Sequence, residues 1–467
     1  MRERYLRPLG QSLHAFAGRA SRFLADQSAG GSWSYQLPPP ARWNLRWFWL
    51  DGLFASASDS IITSYLALFI LVLGGTRAQV GALSSLENLG AALLLLPSAA
   101  LIERLGRHRQ VVVFTSAIAR TMLMLVALLP LAVAGPTAVL LAIGLAVVRT
   151  VFVNLSIPAW TPLTADLVPL RWRGRYFASR NIIMVAAGMV TTLLVGQLIS
   201  ALPEPGGYQI ALGLAFLIGM AATYTFARLQ EPAAVAVATA SQADRAEPSD
   251  GQPRPRLPRL SLLTELRRYP RFVVFTAASA VWNFGLNIGG PFFNVYLVEG
   301  LGAQAGTVGI LSVISSLAAL PGHRLLGPLV DRWGARRVQM LTGLLIPIMP
   351  LAWLLVRSPW QVVPINLLGG FLWAGYGVST FSLQLLLTPE EHRPRYTALY
   401  QVIILGALAA GAAVGSAIAT HWGYQAVFIG TAVGRLAGAL VRFIRLPDPL
   451  AAAANQVLHA GEVFEPD

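Results

Sequence analysis

Apolar runs of about twenty residues, separated by short polar breaks, recur along this chain from residue 44 to residue 446. A helix needs roughly 20 apolar residues to cross a bilayer's hydrocarbon core, so each run predicts a membrane-spanning helix. Twelve are predicted, at 44–73, 78–102, 110–134, 137–164, 174–202, 207–229, 271–299, 304–330, 337–357, 360–388, 394–420 and 423–446. They fall into two groups of six around a stretch rich in Ala, Pro, Ser and Arg. The predicted organisation is a polar tail (1–43), a six-helix bundle (44–229), a linker (230–270), a second six-helix bundle (271–446) and a closing tail (447–467). No short apolar core with a cleavage site precedes the first run, so no signal peptide is expected.

The two groups repeat each other. Residues 74–109 read GGTRAQVGALSSLENLGAALLLLPSAALIERLGRHR, and residues 302–337 read GAQAGTVGILSVISSLAALPGHRLLGPLVDRWGARR. At an offset of 228, Gly81 falls on Gly309, Glu103 on Asp331, Arg104 on Arg332, Gly106 on Gly334 and Arg109 on Arg337. A second match, at an offset of 220, sets Val168–Tyr176 against Thr388–Tyr396. Charged loop residues match in order, which chance similarity between apolar helices does not produce. The expectation is an all-α integral membrane protein built as two pseudo-symmetric bundles, the plan of many secondary transporters.

Composition agrees. The chain is 55% hydrophobic and 12% charged, about half the charge of a soluble domain. It has no cysteine, which removes disulfides and thiolate chemistry. The net charge of +14 is carried entirely by arginine. Most of these arginines fall in alternate loops, in tails or at the adjoining helix ends; only Arg77 and Arg357 fall in the other set of loops. That bias places both termini in the cytoplasm. The basic surface then faces anionic lipid rather than nucleic acid. A bacterial plasma (inner) membrane is the expected location.

The run Gly327–Arg337, GPLVDRWGARR, resembles the signature loop of the major facilitator superfamily, between the second and third helix of each half. The first copy, Ala99–Arg109, departs from it, with Ala99 for a usual glycine and Glu103 for a usual aspartate. Asp166 with Arg173-Gly174-Arg175 resembles the loop after that family's fourth helix. The resemblance implies the family's fold of two six-helix bundles, transport by alternating access, no cofactor, and action as a monomer. It also implies a cytoplasmic gate in which an acid pairs with arginines and with a helix N-terminus across the bundle. The residues concerned are Glu103, Arg104, Arg107, Asp331, Arg332, Arg336, Arg337, Asp166, Arg173 and Arg175.

Four charges fall near the middle of predicted spans: Asp59, Glu87, Arg120 and Arg149. Each costs about 2.5–3.5 kcal/mol at the bilayer centre even on a lenient scale, so none is expected to face lipid. At the offset of 228 they meet Asn287, Ser315 and Ile348 for Asp59, Glu87 and Arg120. The first half is charged where the second is neutral. A carboxylate exchanges a proton where its surroundings permit, and an amide does not. Asp59 and Glu87 are the candidate proton-coupling acids and Arg120 and Arg149 their charge partners; the structural alternative is a static salt-bridge network. Sodium is the alternative coupling ion. Arg149 lies 17 residues before Asp166, much as an arginine does in proton-driven exporters of the superfamily. The Gln-Gly after that arginine and the fifth-helix Gly-Pro of those exporters are both missing here.

In the second half Asn283, Asn287 and Asn294 share a helical stripe with Trp282 beside it, and the tenth span carries Trp373, Tyr376 and Gln384. Amides and rings suit a polar or amphipathic solute; interhelical hydrogen bonding and interface anchoring are the alternative. Arg435, inside the last span, is left either for an anionic substrate group or for a helix end.

No GxxxxGK[ST] is present, and the six histidines are scattered, so neither an ATP-driven pump nor a polytopic enzyme is expected. The expected function is secondary transport of a small organic solute, coupled to protons. Export is favoured over uptake of a polar nutrient on family analogy alone. A lipid scramblase or a sensor is the alternative of another class.

Overall fold

The computed structural model describes residues 28, 31–105, 108–230, 269–388 and 393–445. The expectations for the closing tail, for most of the linker and for residues 1–27 of the first tail lie outside them. The described residues form helices and turns, with no strand among them. In chain order, the N-terminal half comprises α1 (Pro39–Val72), α2 (Arg77–Leu105), α3 (His108–Ala132), α4 (Pro136–Leu167), α5 (Arg173–Ala201) and α6 (Gly206–Ala227). The C-terminal half comprises α7 (Pro270–Gly289, continued by Phe292–Glu299), α8 (Ala305–Trp333), α9 (Ala335–Leu345, continued by Ile348–Ala352), α10 (Val362–Leu387), α11 (Arg393–His421) and α12 (Gly423–Arg445).

Among the described residues, eleven of these segments are long and apolar enough to cross a membrane. The remaining one, α2, is 29 residues long and includes positions whose side chains lie outside the described set. Two spans expected as continuous are broken. In α7 the Gly290-Pro291 pair interrupts the hydrogen-bond ladder, and in α9 Pro347 does. Proline has no N–H to give and its ring clashes with the preceding turn. The signature-loop turn is as expected: Gly334 sits between α8 and α9 at φ +85°, where a Cβ would be strained.

Two ends of the bundle differ. On the end away from the linker, one apolar cluster draws on both halves, with Ile61, Tyr65, Phe69, Val80 and Ile199 against Phe292, Val295, Ala305 and Val308. Hydrogen bonds join the halves there. Ser85 Oγ donates to the Ala409 carbonyl at 2.9 Å, Ser416 Oγ to the Ala78 carbonyl at 2.9 Å, and the Gly306 amide to Ser200 Oγ at 2.8 Å. Arg77 meets Glu299 at 3.0 Å, and Tyr424 also donates to Glu299. Small residues allow the contact: a Cβ on Gly309 would lie 2.7 Å from Tyr65 Oη and 2.9 Å from the Thr192 carbonyl.

Toward the linker the apolar clusters separate by half. Leu45, Phe48, Leu163 and Tyr176 form one, and Phe272, Phe275, Val338 and Tyr396 the other. Each half closes on itself at this end. Asn44 and the Gln230 backbone exchange two hydrogen bonds of 2.8 Å, and Arg336 donates to the Phe443 carbonyl at 3.2 Å. Among the described residues no salt bridge crosses between the halves at the linker end. Among the described residues, the molecule is sealed at one end and parted at the other.

Candidate functional site

The charges expected in α1–α4 do gather, in two places. Asp59, on α1, accepts hydrogen bonds from Arg120 Nη1 of α3 at 2.8 Å and from Arg149 Nη2 of α4 at 3.4 Å. Arg120 also donates to Ser58 Oγ at 3.1 Å. Both arginine side chains are buried, while the Asp59 side chain is 51% exposed. One carboxylate therefore ties three helices together and still faces open space. Glu87 stands apart on α2 and accepts from Thr150 Oγ1 at 2.8 Å. It contacts the α4 turn that carries Arg149 without forming a salt bridge among the described residues.

Asp59 opens onto two cavities. One, of about 310 Å³, lies inside the N-terminal half, bounded by Asp51, Asp59, Arg120, Trp160 and Arg180. The other, of about 520 Å³, lies between the halves, with Ser56, Asp59, Ser60 and Thr63 on one wall and Asn294, Ser312 and Ser316 on the other. The stripe of Ser56, Asp59 and Thr63 read from helical spacing is thus the α1 wall of the central space.

A second ion pair was missed in the sequence. Arg180 of α5 binds Asp51 at 3.0 Å and the Phe48 carbonyl at 3.0 Å, and its guanidinium lies over the Phe48 ring at 4.1 Å. Arg180 is 5% exposed and Asp51 8%. The available signal was the spacing Asp51, Ala55, Asp59, which at i, i+4, i+8 marks one helical stripe.

In the C-terminal half the expected substrate residues divide. Asn294 and Trp373 line a cavity of about 420 Å³ together with Phe293, Ser315, Asn366 and Arg435. Asn294, Ser312 and Ser316 are shared between this cavity and the central one, so the two adjoin. The others line none of these three cavities. Trp282 is 1% exposed and stacks on Tyr376 with ring centres 4.7 Å apart. Asn283 donates to the Ser279 carbonyl in its own helix at 2.8 Å. Asn287 donates to the Leu408 carbonyl at 2.7 Å and to Ser84 Oγ at 3.3 Å, so it fastens α7 to α11 and to the other half. Gln384 lies near the linker end of α10.

Two buried cations occupy α12. Arg442 donates to Tyr376 Oη at 2.7 Å and to Ser279 Oγ at 2.8 Å. Arg435 is 4% exposed and lies over the Trp373 and Phe293 rings at 5.6 and 6.0 Å. Among the described residues it has no hydrogen bond and no carboxylate partner.

Of the gate residues, the side chains of Glu103, Arg104, Arg107 and Asp166 lie outside the described set. Asp331 and Arg332 are exposed, Arg175 lies over the Trp172 ring at 5.0 Å, and Arg336 binds within its own half. Arg173 and Arg337 have partners as well. Among the described residues no salt bridge of the expected gate crosses between the halves.

The family model of the Major Facilitator Superfamily matches residues 48–296 and 283–463 of the chain. A "Multi-drug resistance efflux pump PmrA homolog" from Lactococcus lactis subsp. lactis (strain IL1403) is 31% identical over 160 residues, which is 33% of this chain and 39% of that relative. The chain thus spans well under half the length of the curated relative it matches. Among solved structures, the nucleoside transporter NupG is similar with a TM-score of 0.62 and 15% identity, over 86% of this chain and 98% of that one. The inward open xylose transporter XylE from E. coli gives 0.63 and 12%, over 86% and 96%. A bacterial homologue of the iron transporter ferroportin gives 0.62 and 17%, over 86% and 97%. At such identities the likeness is one of fold.

Proposed function

This chain belongs to the Major Facilitator Superfamily, and on that premise we propose that it is a proton-coupled exporter of a small organic solute. Secondary transport across a membrane, without enzyme chemistry, is the family's work. The finer reading rests on one observation. Asp59 is a half-exposed carboxylate on the central cavity, and among the described residues it is the acid that pairs with both Arg120 and Arg149.

Protonation of Asp59 removes the negative charge that draws α3 and α4 onto α1. The two arginines are then left facing a neutral group. A ligand biases an equilibrium only through a difference in its affinity for the two states. The proton has that difference here, because the charge it cancels lies where three helices meet. Glu87 is the second candidate acid, set at the α2–α4 contact.

Arginine placement puts the linker end in the cytoplasm, so the parted end is the inward-facing one. Solute then enters from the cytoplasm, and the halves rock about the site. The linker-end arginines and Asp331 would close that end in the opposite state. The resemblance of part of the chain to a multidrug efflux pump homologue supports export. The superfamily premise supports action as a monomer.

The test is proton movement in everted membrane vesicles with an acidic lumen, followed with a pH-sensitive acridine dye. The panel is sugars, nucleosides, organic acids, amino acids and amphipathic cations. Export by exchange predicts that one class releases protons from wild-type vesicles. Asp59→Asn should abolish the release while a thermal shift still reports binding of that class. Undiminished release by that variant would sink the coupling role. Solute-driven proton entry into right-side-out vesicles would turn the reading to uptake.

A further inference from the structure

Charge is balanced in one half of the membrane interior and not in the other. In α1–α5 three acids, Asp51, Asp59 and Glu87, face three arginines, Arg120, Arg149 and Arg180. In the C-terminal half the described carboxylates are Glu299 and Asp331, at opposite ends of the bundle. Glu299 is already held by Arg77 and Tyr424. The interior cations of that half, Arg435 and Arg442, therefore have no acid. Arg442 is satisfied by two hydroxyls. Among the described residues Arg435 has neither a hydrogen bond nor an acid.

A buried guanidinium without an acceptor costs several kcal/mol unless something pairs with it. The fold places this one on purpose-built ground. Gly285 and Gly434 bring α7 and α12 so close that a Cβ on Gly285 would lie 2.7 Å from Gly434 Cα. That approach sets Arg435 among α7, α8 and α10, on the wall of the 420 Å³ cavity. Two aromatic rings, Trp373 and Phe293, sit beside the guanidinium and leave its edge as the donor. Asn294, which reaches both this cavity and the central one, also has no hydrogen bond to the described protein. Ser315 supplies a further hydroxyl.

We propose that the Arg435 cavity recognises an organic monoanion, with a carboxylate forked onto Arg435 and an apolar or aromatic body against Trp373, Phe293 and Trp353. A guanidinium presents parallel N–H donors that match the two oxygens of a carboxylate. One cation among neutral amides and hydroxyls matches one negative charge better than the two of a phosphate. The amide of Asn294 reaches the part of the ligand that extends into the central space. This assignment rests on the reading of the chain as a solute transporter, and it names the class of solute.

The test is equilibrium binding to the purified full chain in detergent, by calorimetry, with matched probes. These are benzoate and benzamide, 3-phenylpropionate and 3-phenylpropionamide, hexanoate and hexanamide, with phenyl phosphate as the dianion. A charge-assisted pair predicts that at least one acid binds about tenfold to a hundredfold more tightly than its amide. Arg435→Gln should reduce that preference to within about threefold, and Arg435→Lys should restore part of it. Tighter binding of phenyl phosphate than of every carboxylate would overturn the choice of a monoanion. No preference for any acid, or a preference that survives in a folded Arg435→Gln protein, would overturn the site. Because the readout is binding without a gradient, acid recognition without proton-linked flux would keep this site and remove the proton-coupled reading.

Discussion

The two halves repeat one another in sequence and fold, yet at aligned positions they do different things. Asp59 holds two arginines beside the central cavity, whereas its counterpart Asn287 closes the far end by binding the Leu408 carbonyl and Ser84. Glu87 accepts from Thr150, whereas Ser315 lines the cavity that holds Arg435. Arg120 is buried in the bundle, whereas Ile348 is exposed on the second segment of a broken helix. Gly81 and Gly309 have kept one job. A Cβ on Gly81 would meet Ser416 Oγ at 2.8 Å, as one on Gly309 would meet Tyr65. Duplication has preserved the packing between the halves and freed the interior for separate chemistry. One half is a neutralised charge network, and the other is a polar–aromatic cavity with one unmatched cation.

The sharpest way to break that contrast is to remove one buried arginine from each half. Arg180→Leu strands Asp51 without a partner in a buried site, and loss of one member of such a pair costs about 3–5 kcal/mol. Arg442→Leu leaves only two hydroxyls behind, at about 1 kcal/mol per lost hydrogen bond. Thermal unfolding in detergent should show a large drop for the first and a clearly smaller one for the second. The double variant Asp51→Leu/Arg180→Leu should regain most of the loss. Equal drops for the two single variants would show that the halves do not differ in charge balance.

The shared packing is tested next, at Gly309. Valine there must displace Tyr65 Oη or the Thr192 carbonyl, and overpacking of this kind costs about 1–3 kcal/mol in the sealed state alone. That corresponds to about a 5- to 150-fold shift toward the state open at the other end. The chain has no cysteine, so a single Thr63→Cys reports on the central cavity. Its labelling by a membrane-impermeant maleimide from the side away from the linker should rise in the Gly309→Val background. Unchanged labelling would mean that the Gly309 contact does not control the seal.

Asn287→Asp restores in the second half the acid that the first half has at Asp59. The carboxylate would face the Leu408 carbonyl at a donor's distance of 2.7 Å with no hydrogen to give. A buried acceptor left unsatisfied costs about 1–3 kcal/mol. The loss should shrink as pH falls, because protonation returns a donor to the position. A variant as stable as the parent at alkaline pH would show that Asn287 is a cavity residue rather than a fastener.

Much of this was legible before the structure. Twelve runs and a matched loop gave the helices and the halves, and the cost of charge in a bilayer brought Asp59, Arg120 and Arg149 together. The Asp51–Arg180 pair was not legible because the first span was expected to begin at 44. The helix begins at Pro39, where proline suits the first turn, and Asp51 therefore sits deeper than the hydropathy run suggests. The roles of the amides were hidden for another reason. Asn283, Asn287 and Asn294 share a stripe, yet Asn283 bonds within its own helix, Asn287 bonds to α11 and α2, and Asn294 lines a cavity. Which of Trp282 and Trp373 faces a cavity depends on packing between helices, which no single-helix pattern contains.

The smallest effect should come from the salt bridge that joins the two halves. Arg77 and Glu299 meet at 3.0 Å, but their side chains are 42% and 32% exposed. Exposed pairs contribute about 0–1 kcal/mol, and salt screens them. Arg77→Gln should therefore change Thr63→Cys labelling by no more than about fivefold, and by less as ionic strength rises. Tyr424 still donates to Glu299 in that variant, so the acid is not left alone. An effect larger than that of Gly309→Val would reverse the order and make a surface charge pair, rather than close helix packing, the device that holds the far end shut.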